Sequence, residues 1–137
     1  MTAPFVPLDP GRHYSSPAPL KHLTETQLLY KMLEAAPFAL PGMRIFRRNI
    51  VNVETKGGWR ARAGIKGQSD AYAICRGGRI IEIETKARTG RLSREQKAWR
   101  DFCLEWEIPY LTLIEKKGES PDETVLRWLA EIRALAP

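Results

Sequence analysis

The chain has 137 residues, a common length for a single domain, and its apolar runs fall far short of the roughly 20 residues that a membrane-spanning helix needs. Its two cysteines, Cys75 and Cys103, form no CxxC pair, which argues against a disulfide framework or a zinc site and favours reduced thiols in a cytoplasmic protein without an export signal. The chain contains 22 Lys and Arg residues against 16 Asp and Glu residues. Between Arg44 and Arg100 there are 15 basic and 5 acidic residues, a local net charge of +10. This charge fits a polyanionic partner or a solvated basic face equally well.

Residues 1–22 are predicted to form an extended arm, and residues 23–137 a single domain. Five of the ten prolines fall within residues 1–20, and proline at this density opposes helix and favours polyproline geometry. The arm either lies across the domain or a partner subunit, or is a partly disordered tail.

The first half of the domain predicts one helix and three strands. Thr24 and Gln27 form a capping box for the helix, which we expect to end at Pro37. Runs of β-branched and aromatic residues predict three strands, over residues 44–53, 70–75 and 80–86. A basic, glycine-rich loop is expected after the first strand and extends through Gly67, while Gly77-Gly78 predicts a hairpin between the other two.

The second half predicts a helix, a short strand and a final helix. Ser93 and Gln96 form another capping box, and the helix after it carries an apolar stripe made of Trp99, Phe102, Cys103 and Trp106. The strand covers 110–114, and the final helix begins at Ser120 with the stripe Val125, Trp128, Leu129 and Ile132. The predicted class is therefore α/β, in the order α, β, β, β, α, β, α.

Three charged side chains share one face of the strand over 80–86. Because side chains alternate along a strand, Glu82, Glu84 and Lys86 project from one face, while Ile81 and Ile83 project from the other. Carboxylates that hold Mg²⁺ beside a lysine supply what phosphodiester hydrolysis needs, namely an activated water and compensation of the charge that develops on the phosphate. For an isolated E-x-E-x-K pattern, a solvent-facing strand edge is nevertheless the commoner explanation.

The register of the hairpin decides whether Asp70 joins these acids. A two-residue loop at Gly77-Gly78 pairs Asp70 with Thr85, which puts its side chain on the wrong face. An odd loop, such as a three-residue turn with a left-handed glycine, pairs Asp70 with Glu84 or Lys86 and brings the acids together. We predict the odd loop, or a bulge with the same effect.

The motifs of this region resemble those of a known nuclease family. Gly67-Gln68-Ser69-Asp70, then Glu84-Thr85-Lys86, then Gly90-Arg91-Leu92-Ser93 with Gln96 are similar to the VRR-NUC (virus-type replication-repair nuclease) branch of the PD-(D/E)XK superfamily. The resemblance runs from about Thr24 to Ile114. It implies a restriction-endonuclease-like αβββαβ core with a central mixed sheet flanked by helices, to which the final helix is an addition.

The resemblance also implies roles for individual residues. It makes Asp70 and Glu84 ligands of Mg²⁺, with Mn²⁺ as an alternative, and adds the backbone carbonyl of Thr85. Lys86 would orient the attacking water or stabilise the transition state. Glu25 matches an acid on the first helix of the family, although it also fits a first-turn charge that favours the helix dipole. Two further residues remain open: Gln96 matches a glutamine beside the site but is equally explained by its capping box, and Glu82 is either a supporting or second-metal acid or simply an outer one.

Basic residues around the motifs are the predicted phosphate contacts. They are Arg47, Arg48, Lys56, Arg60, Arg62, Lys66, Arg88 and Arg91. Trp59 offers a ring for base stacking, although packing is the more frequent role of a single tryptophan.

Together these expectations describe a metal-dependent DNA endonuclease. By analogy with stand-alone domains of the family, we expect a homodimer that acts on branched DNA of the Holliday-junction type in viral or prophage replication and repair, with the arm or the Trp128 helix contributing to the dimer. A restriction-type endonuclease and a nucleic-acid-binding module that no longer cuts are the alternatives. The first would need a base-reading element, and the intact set of Asp70, Glu84 and Lys86 argues against the second.

Overall fold

The computed structural model describes residues 22–49, 51–54, 56–58 and 60–136, and for strand residues 51–54 and 60–63 it describes the backbone alone. Residues 1–21 of the predicted arm and Trp59 lie outside this part of the chain. The expectations for them stay predictions.

The described residues form an α/β fold with a mixed sheet, as the sequence predicts. Its elements are α1 (Glu25–Ala39), β1 (Met43–Arg47), β2 (Val51–Glu54), β3 (Arg60–Ala63), β4 (Ala71–Cys75), β5 (Ile80–Lys86), α2 (Arg94–Glu105), β6 (Tyr110–Ile114) and α3 (Pro121–Leu135). The main sheet has the order β1-β4-β5-β6, in which β5 and β6 are parallel and the other pairs antiparallel. No described helix is both long and apolar enough to cross a membrane.

The prediction of one continuous strand over residues 44–53 is wrong. β1 ends at Arg47, and β2 pairs instead with β3 in a separate two-stranded sheet, with Val51 opposite Ala63 and Glu54 opposite Arg60. This hairpin occupies most of the predicted glycine-rich loop. Strand propensity is a local property and does not specify the partner of a strand, so the sequence pattern merged two strands of different sheets.

The first helix ends later than expected. Its capping box is formed as predicted, with the Thr24 and Gln27 side chains each accepting a bond from the backbone N–H of the other. The helix continues past Pro37 to Ala39, and the Leu40 N–H still bonds to the Ala36 carbonyl at 2.8 Å. A proline lacks its own N–H and crowds the carbonyl four residues before it, but the N–H groups of the residues after it can still bond and close the last turn.

The hydrophobic core lies between the sheet and the helix pair α1 and α3. Ile81 and Ile83 of β5 are fully buried there, together with Met32 of α1 and Trp128 and Ile132 of α3. Burying a side chain of this size contributes roughly 1.5–3 kcal/mol, so this layer holds most of the stability of the domain. Of the predicted stripe on α2, which covers the opposite face, Cys103 is fully buried but Phe102 and Trp106 remain 40% and 68% exposed.

One carboxylate ties α3 to the end of β6. Glu119 receives two hydrogen bonds from Arg127, Nε to Oε2 and Nη2 to Oε1, each at 2.8 Å. It also accepts a bond from the Lys116 N–H at 2.9 Å, while Arg127 reaches back to the Ile114 carbonyl. The paired geometry places the first two turns of α3 against the strand that precedes it.

Replacement of this carboxylate, Glu119→Gln, is expected to destabilise the protein by about 1–2 kcal/mol at neutral pH. The hydrogen bond from Arg127 lowers the pKa of Glu119 from 4.5 to about 2. Its contribution is therefore present above the unfolded-state value and is lost as the pH falls through the folded-state value. Urea unfolding of both proteins from neutral pH down to about pH 2 measures the effect.

The control is Glu131→Gln, because Glu131 bonds to the same arginine at 3.1 Å but is an exposed i,i+4 partner on the helix. This variant should change the free energy of unfolding by only a few tenths of a kcal/mol. A Glu119→Gln effect of equal size at both ends of the pH range would contradict the assignment.

Candidate metal centre

The turn between β4 and β5 sets the register on which this centre depends. Cys75 and Arg79 close the turn with a 2.8 Å bond from the Cys75 N–H to the Arg79 carbonyl, which leaves three residues in the loop. Gly77 and Gly78 have φ values of 88° and 85°, a region that residues with a side chain rarely adopt. Since Ala71 pairs with Ile83, the predicted odd loop is confirmed, and the next residues outward, Asp70 and Glu84, face one another.

Three carboxylates from three parts of the chain meet at this point. Glu25 opens α1, Asp70 precedes β4 and Glu84 lies in β5, and each offers an oxygen within 4.8 Å of the others. Within the described part of the chain, this is the one group of three or more potential metal-ligating side chains. The structure thus brings together three of the four acids that the sequence singled out, and it gives Glu25 a position in the cluster beyond its place in the first turn of α1.

Hydrogen bonds from the backbone hold the acids in place. Asp70 Oδ2 accepts bonds from the Thr85 N–H and hydroxyl, both at 2.9 Å. Glu84 Oε2 accepts from the Asp70 N–H at 3.3 Å, and Glu25 Oε2 accepts from the Ala87 N–H at 3.2 Å. Thr85 is fully buried and anchors Asp70, while its predicted role as a metal ligand through the carbonyl stays a prediction.

Lys86 and Gln96 both approach the same oxygen of Glu84. The Lys86 Nζ lies 3.4 Å from Glu84 Oε1, and its side chain is 12% exposed. The Gln96 amide nitrogen donates to that oxygen at 2.8 Å, while its own oxygen accepts from the Ser93 N–H at 2.8 Å. The two explanations left open for Gln96 therefore hold together, because one amide caps α2 and binds Glu84.

The cluster carries an unfavourable concentration of negative charge. Burial raises the pKa of Glu84 to about 8, and the charge of Asp70 acts in the same direction. Burial also raises the pKa of Glu25, against the opposing effects of the Ala87 N–H and Lys86. A bound cation would favour the ionised forms of these carboxyls.

Glu82 does not belong to the cluster, although it lies on the same face of β5. It is 5% exposed and forms a two-pronged ion pair with Arg48, with N–O distances of 2.6 and 3.0 Å. The expectation that Glu82 is an outer acid is therefore corrected, because it is buried. Arg48, one of the predicted phosphate contacts, is engaged in this ion pair, and its side chain is 18% exposed.

The other predicted phosphate contacts whose side chains the structure describes fall into two groups. Lys56, Arg47 and Arg91 have exposed side chains, with the Arg47 guanidinium 4.8 Å above the Tyr30 ring. Two others are ion-paired at the surface, Lys66 with Glu95 at 3.3 Å and Arg88 with Glu115 at 3.2 Å. The side chains of Arg60 and Arg62 lie outside the described part of the structure.

Trp99 is a site neighbour that the motifs did not indicate. Its indole Nε1 lies 3.4 Å from Glu82 Oε2, and its ring lies 5.9 Å from the Arg48 guanidinium. The signal was present in the spacing, since residues three apart on a helix lie on one face and Trp99 follows Gln96 by three.

Neither the models of known protein families nor the curated proteins give a match to this chain. The resemblance to the VRR-NUC family therefore stays a prediction from the sequence motifs.

The raised pKa of Glu84 predicts how stability depends on pH in the absence of divalent ions. Because the folded state binds this proton more tightly than the unfolded state does, raising the pH from about 4.5 to about 8 should destabilise the wild type relative to Glu84→Gln. Melting temperatures of both proteins in EDTA across this range measure the effect. Added Mg²⁺ at the alkaline end should raise the melting temperature of the wild type alone, whereas parallel pH curves would refute the prediction.

Proposed function

We propose that the protein is a Mg²⁺-dependent DNA endonuclease of the VRR-NUC branch of the PD-(D/E)XK superfamily. The proposal rests chiefly on one observation, the convergence of Glu25, Asp70 and Glu84 with Lys86 beside the last of them. On this proposal the substrate is the DNA of a bacterial or phage-infected cell, and the protein works in the cytoplasm.

The donor set fits Mg²⁺. This ion prefers carboxylate oxygens and usually retains several waters, so it is held by a few acids rather than by a complete protein cage. Asp70 and Glu84 would hold it, with Glu25 on the remaining side and Mn²⁺ as an alternative ion. Because a carboxyl must be ionised to bind a metal ion, the raised pKa of Glu84 means that Mg²⁺ should bind more tightly as the pH rises.

The protein's own groups then have separable tasks in hydrolysis. When bound, Mg²⁺ promotes ionisation of a water and offsets charge on the phosphate. The largely buried ammonium of Lys86 orients the attacking water and stabilises negative charge on the phosphate oxygens, an interaction that strengthens as water is excluded. Thr85 holds the Asp70 carboxylate and Gln96 holds that of Glu84, so both acids are fixed before the substrate binds.

Binding to DNA falls to the exposed basic residues. Arg47, Lys56 and Arg91 are exposed, and they lie in the chain segment that carries a net charge of +10. Contacts of this kind recognise phosphates rather than bases, which agrees with an enzyme that selects DNA by shape. Branched DNA of the Holliday-junction type is the substrate class we propose, and it comes from the family resemblance.

A homodimer is part of this proposal, because a two-fold dimer places two centres symmetrically on a branched substrate. The Trp128 face of α3 cannot contribute to it, since Trp128 is fully buried in the core. Phe102 on α2 and Trp106 directly after it offer a better surface, for both are exposed and their ring centroids lie 5.8 Å apart. Aromatic residues of this kind are enriched in subunit interfaces.

Lys86→Ala should separate cutting from binding. An interaction made chiefly in the transition state lowers the rate without weakening ground-state binding, and its loss costs on the order of 10²-fold in single-turnover rate. Cleavage of linear duplex, flap, nicked and four-way DNA in Mg²⁺, beside binding titrations in Ca²⁺, gives both quantities. The control Arg91→Ala should weaken binding and reduce its salt dependence by about one unit of slope. A Lys86→Ala protein that cuts at the normal rate would show that Lys86 has no catalytic role, whereas a wild type that binds these substrates and cuts none of them would favour the binding module.

The dimer is tested by light scattering at working concentration. The wild type should have the mass of a dimer, and the double variant Phe102→Ala/Trp106→Ala should dissociate. Phe38→Ala is the matched control, because Phe38 is 89% exposed on α1 and lies outside the proposed interface. A monomeric wild type would remove the symmetric resolvase and leave a nicking or flap-cutting activity.

A further inference from the structure

An ion pair is buried on the site face of the sheet, where the proposed chemistry makes no use of it. Glu82 and the Arg48 side chain are 6% and 18% exposed, and two hydrogen bonds of 2.6 and 3.0 Å join them. Removing two charges from water is costly, and apolar residues of similar volume often give equal or greater stability. A role in stability alone therefore explains this pair poorly.

Arg48 hydrogen-bonds to the backbone carbonyl groups on both sides of the Asp70 Cα atom. Its Nη1 donates to the Ser69 carbonyl at 3.2 Å, and its backbone N–H donates to the Asp70 carbonyl at 2.7 Å. The two carbonyls flank the residue that faces Glu84 in the acid cluster. A lysine could keep the charge but could not span Glu82 and Ser69 with a planar fork.

The ion pair of Arg48 and Glu82 also contacts α2 and holds it against the sheet. The Arg48 guanidinium lies 4.7 Å from the Tyr72 ring and 5.9 Å from the Trp99 ring, and Trp99 Nε1 lies 3.4 Å from Glu82 Oε2. One helical turn before Trp99, the Gln96 amide binds Glu84 at 2.8 Å. Thus the pair contacts both the segment that carries Asp70 and the helix that holds Glu84.

We propose that Arg48 and Glu82 are positioning residues of the metal centre. By fixing the start of β4 and the position of α2 on the sheet, they set the distance between the carboxylates of Asp70 and Glu84. The proposal rests on the function proposed above, in that the two acids bind a divalent ion. Groups that orient metal ligands typically contribute 10- to 100-fold to metal affinity or activity. Neither residue belongs to the cluster of acids itself.

The test uses Arg48→Lys and the double variant Arg48→Met/Glu82→Leu in the full-length protein. Arg48→Lys should bind Mg²⁺ about tenfold more weakly by calorimetry and cut more slowly, with unchanged DNA affinity in Ca²⁺. The double variant should melt at or above the wild-type temperature, yet keep the defects in metal binding and cutting. A double variant with wild-type stability, metal affinity and cleavage rate would overturn the proposal.

A spectroscopic readout separates this inference from the proposed function. In ¹⁵N-labelled protein without metal, the Gln96 side-chain amide signals should shift, and their exchange with solvent should quicken, in both Arg48 variants. Unchanged Gln96 signals would overturn the positioning role, whereas a wild type that neither binds Mg²⁺ nor cuts any substrate would overturn the nuclease proposal.

The matched control is Arg127→Lys, which disrupts the other two-pronged arginine–carboxylate pair, with Glu119. It should lower the melting temperature but leave the Gln96 signals and the Mg²⁺ affinity unchanged. If Arg127→Lys altered them as much as Arg48→Lys does, the effect would be general destabilisation and the proposal would fail.

Discussion

The rest of the site depends on one constraint, the close approach of three carboxylates at one end of the sheet. Glu84 is fully buried beside Asp70, and both burial and the neighbouring charge disfavour its ionised form. Several nearby donors are directed at these acids, namely the backbone N–H groups of Asp70, Thr85 and Ala87, the Gln96 amide and the Lys86 ammonium. These hydrogen bonds and the Lys86 ammonium partly offset the cost of placing three carboxylates so close together.

The sequence predicts the local parts of this arrangement well, because each is set by neighbouring residues. Thr24 with Gln27 and Ser93 with Gln96 mark the starts of α1 and α2 through capping boxes, and alternation along β5 puts Glu84 and Lys86 on one face. The register of the hairpin was harder, since the double glycine permits loops of either parity. The need to bring the acids together, not turn chemistry, favoured the three-residue loop that the structure contains.

Contacts between distant residues could not be predicted in the same way. Arg48 and Glu82 are 34 positions apart, and nothing near Arg48 in the sequence distinguishes an arginine that turns inward from one that meets phosphate. The β2–β3 hairpin was missed because strand propensity gives no information about partners. For α2, the apolar spacing correctly identified the helix. Only part of its apolar stripe is buried against the rest of the protein, since Cys103 is buried and Trp106 is exposed.

The two faces of the sheet have different roles, one in stability and one in the site, and this separation explains how a charged site can exist in a stable fold. On one face, Ile81 and Ile83 pack with α1 and α3 into an apolar core, while on the other Glu82 and Glu84 meet polar groups of α2. Apolar packing is non-directional and tolerates small shifts, whereas hydrogen-bonded charges require defined distances. Because alternation along one strand supplies both layers, the core can carry most of the stability and leave the geometry of the charged face to be set by directional contacts.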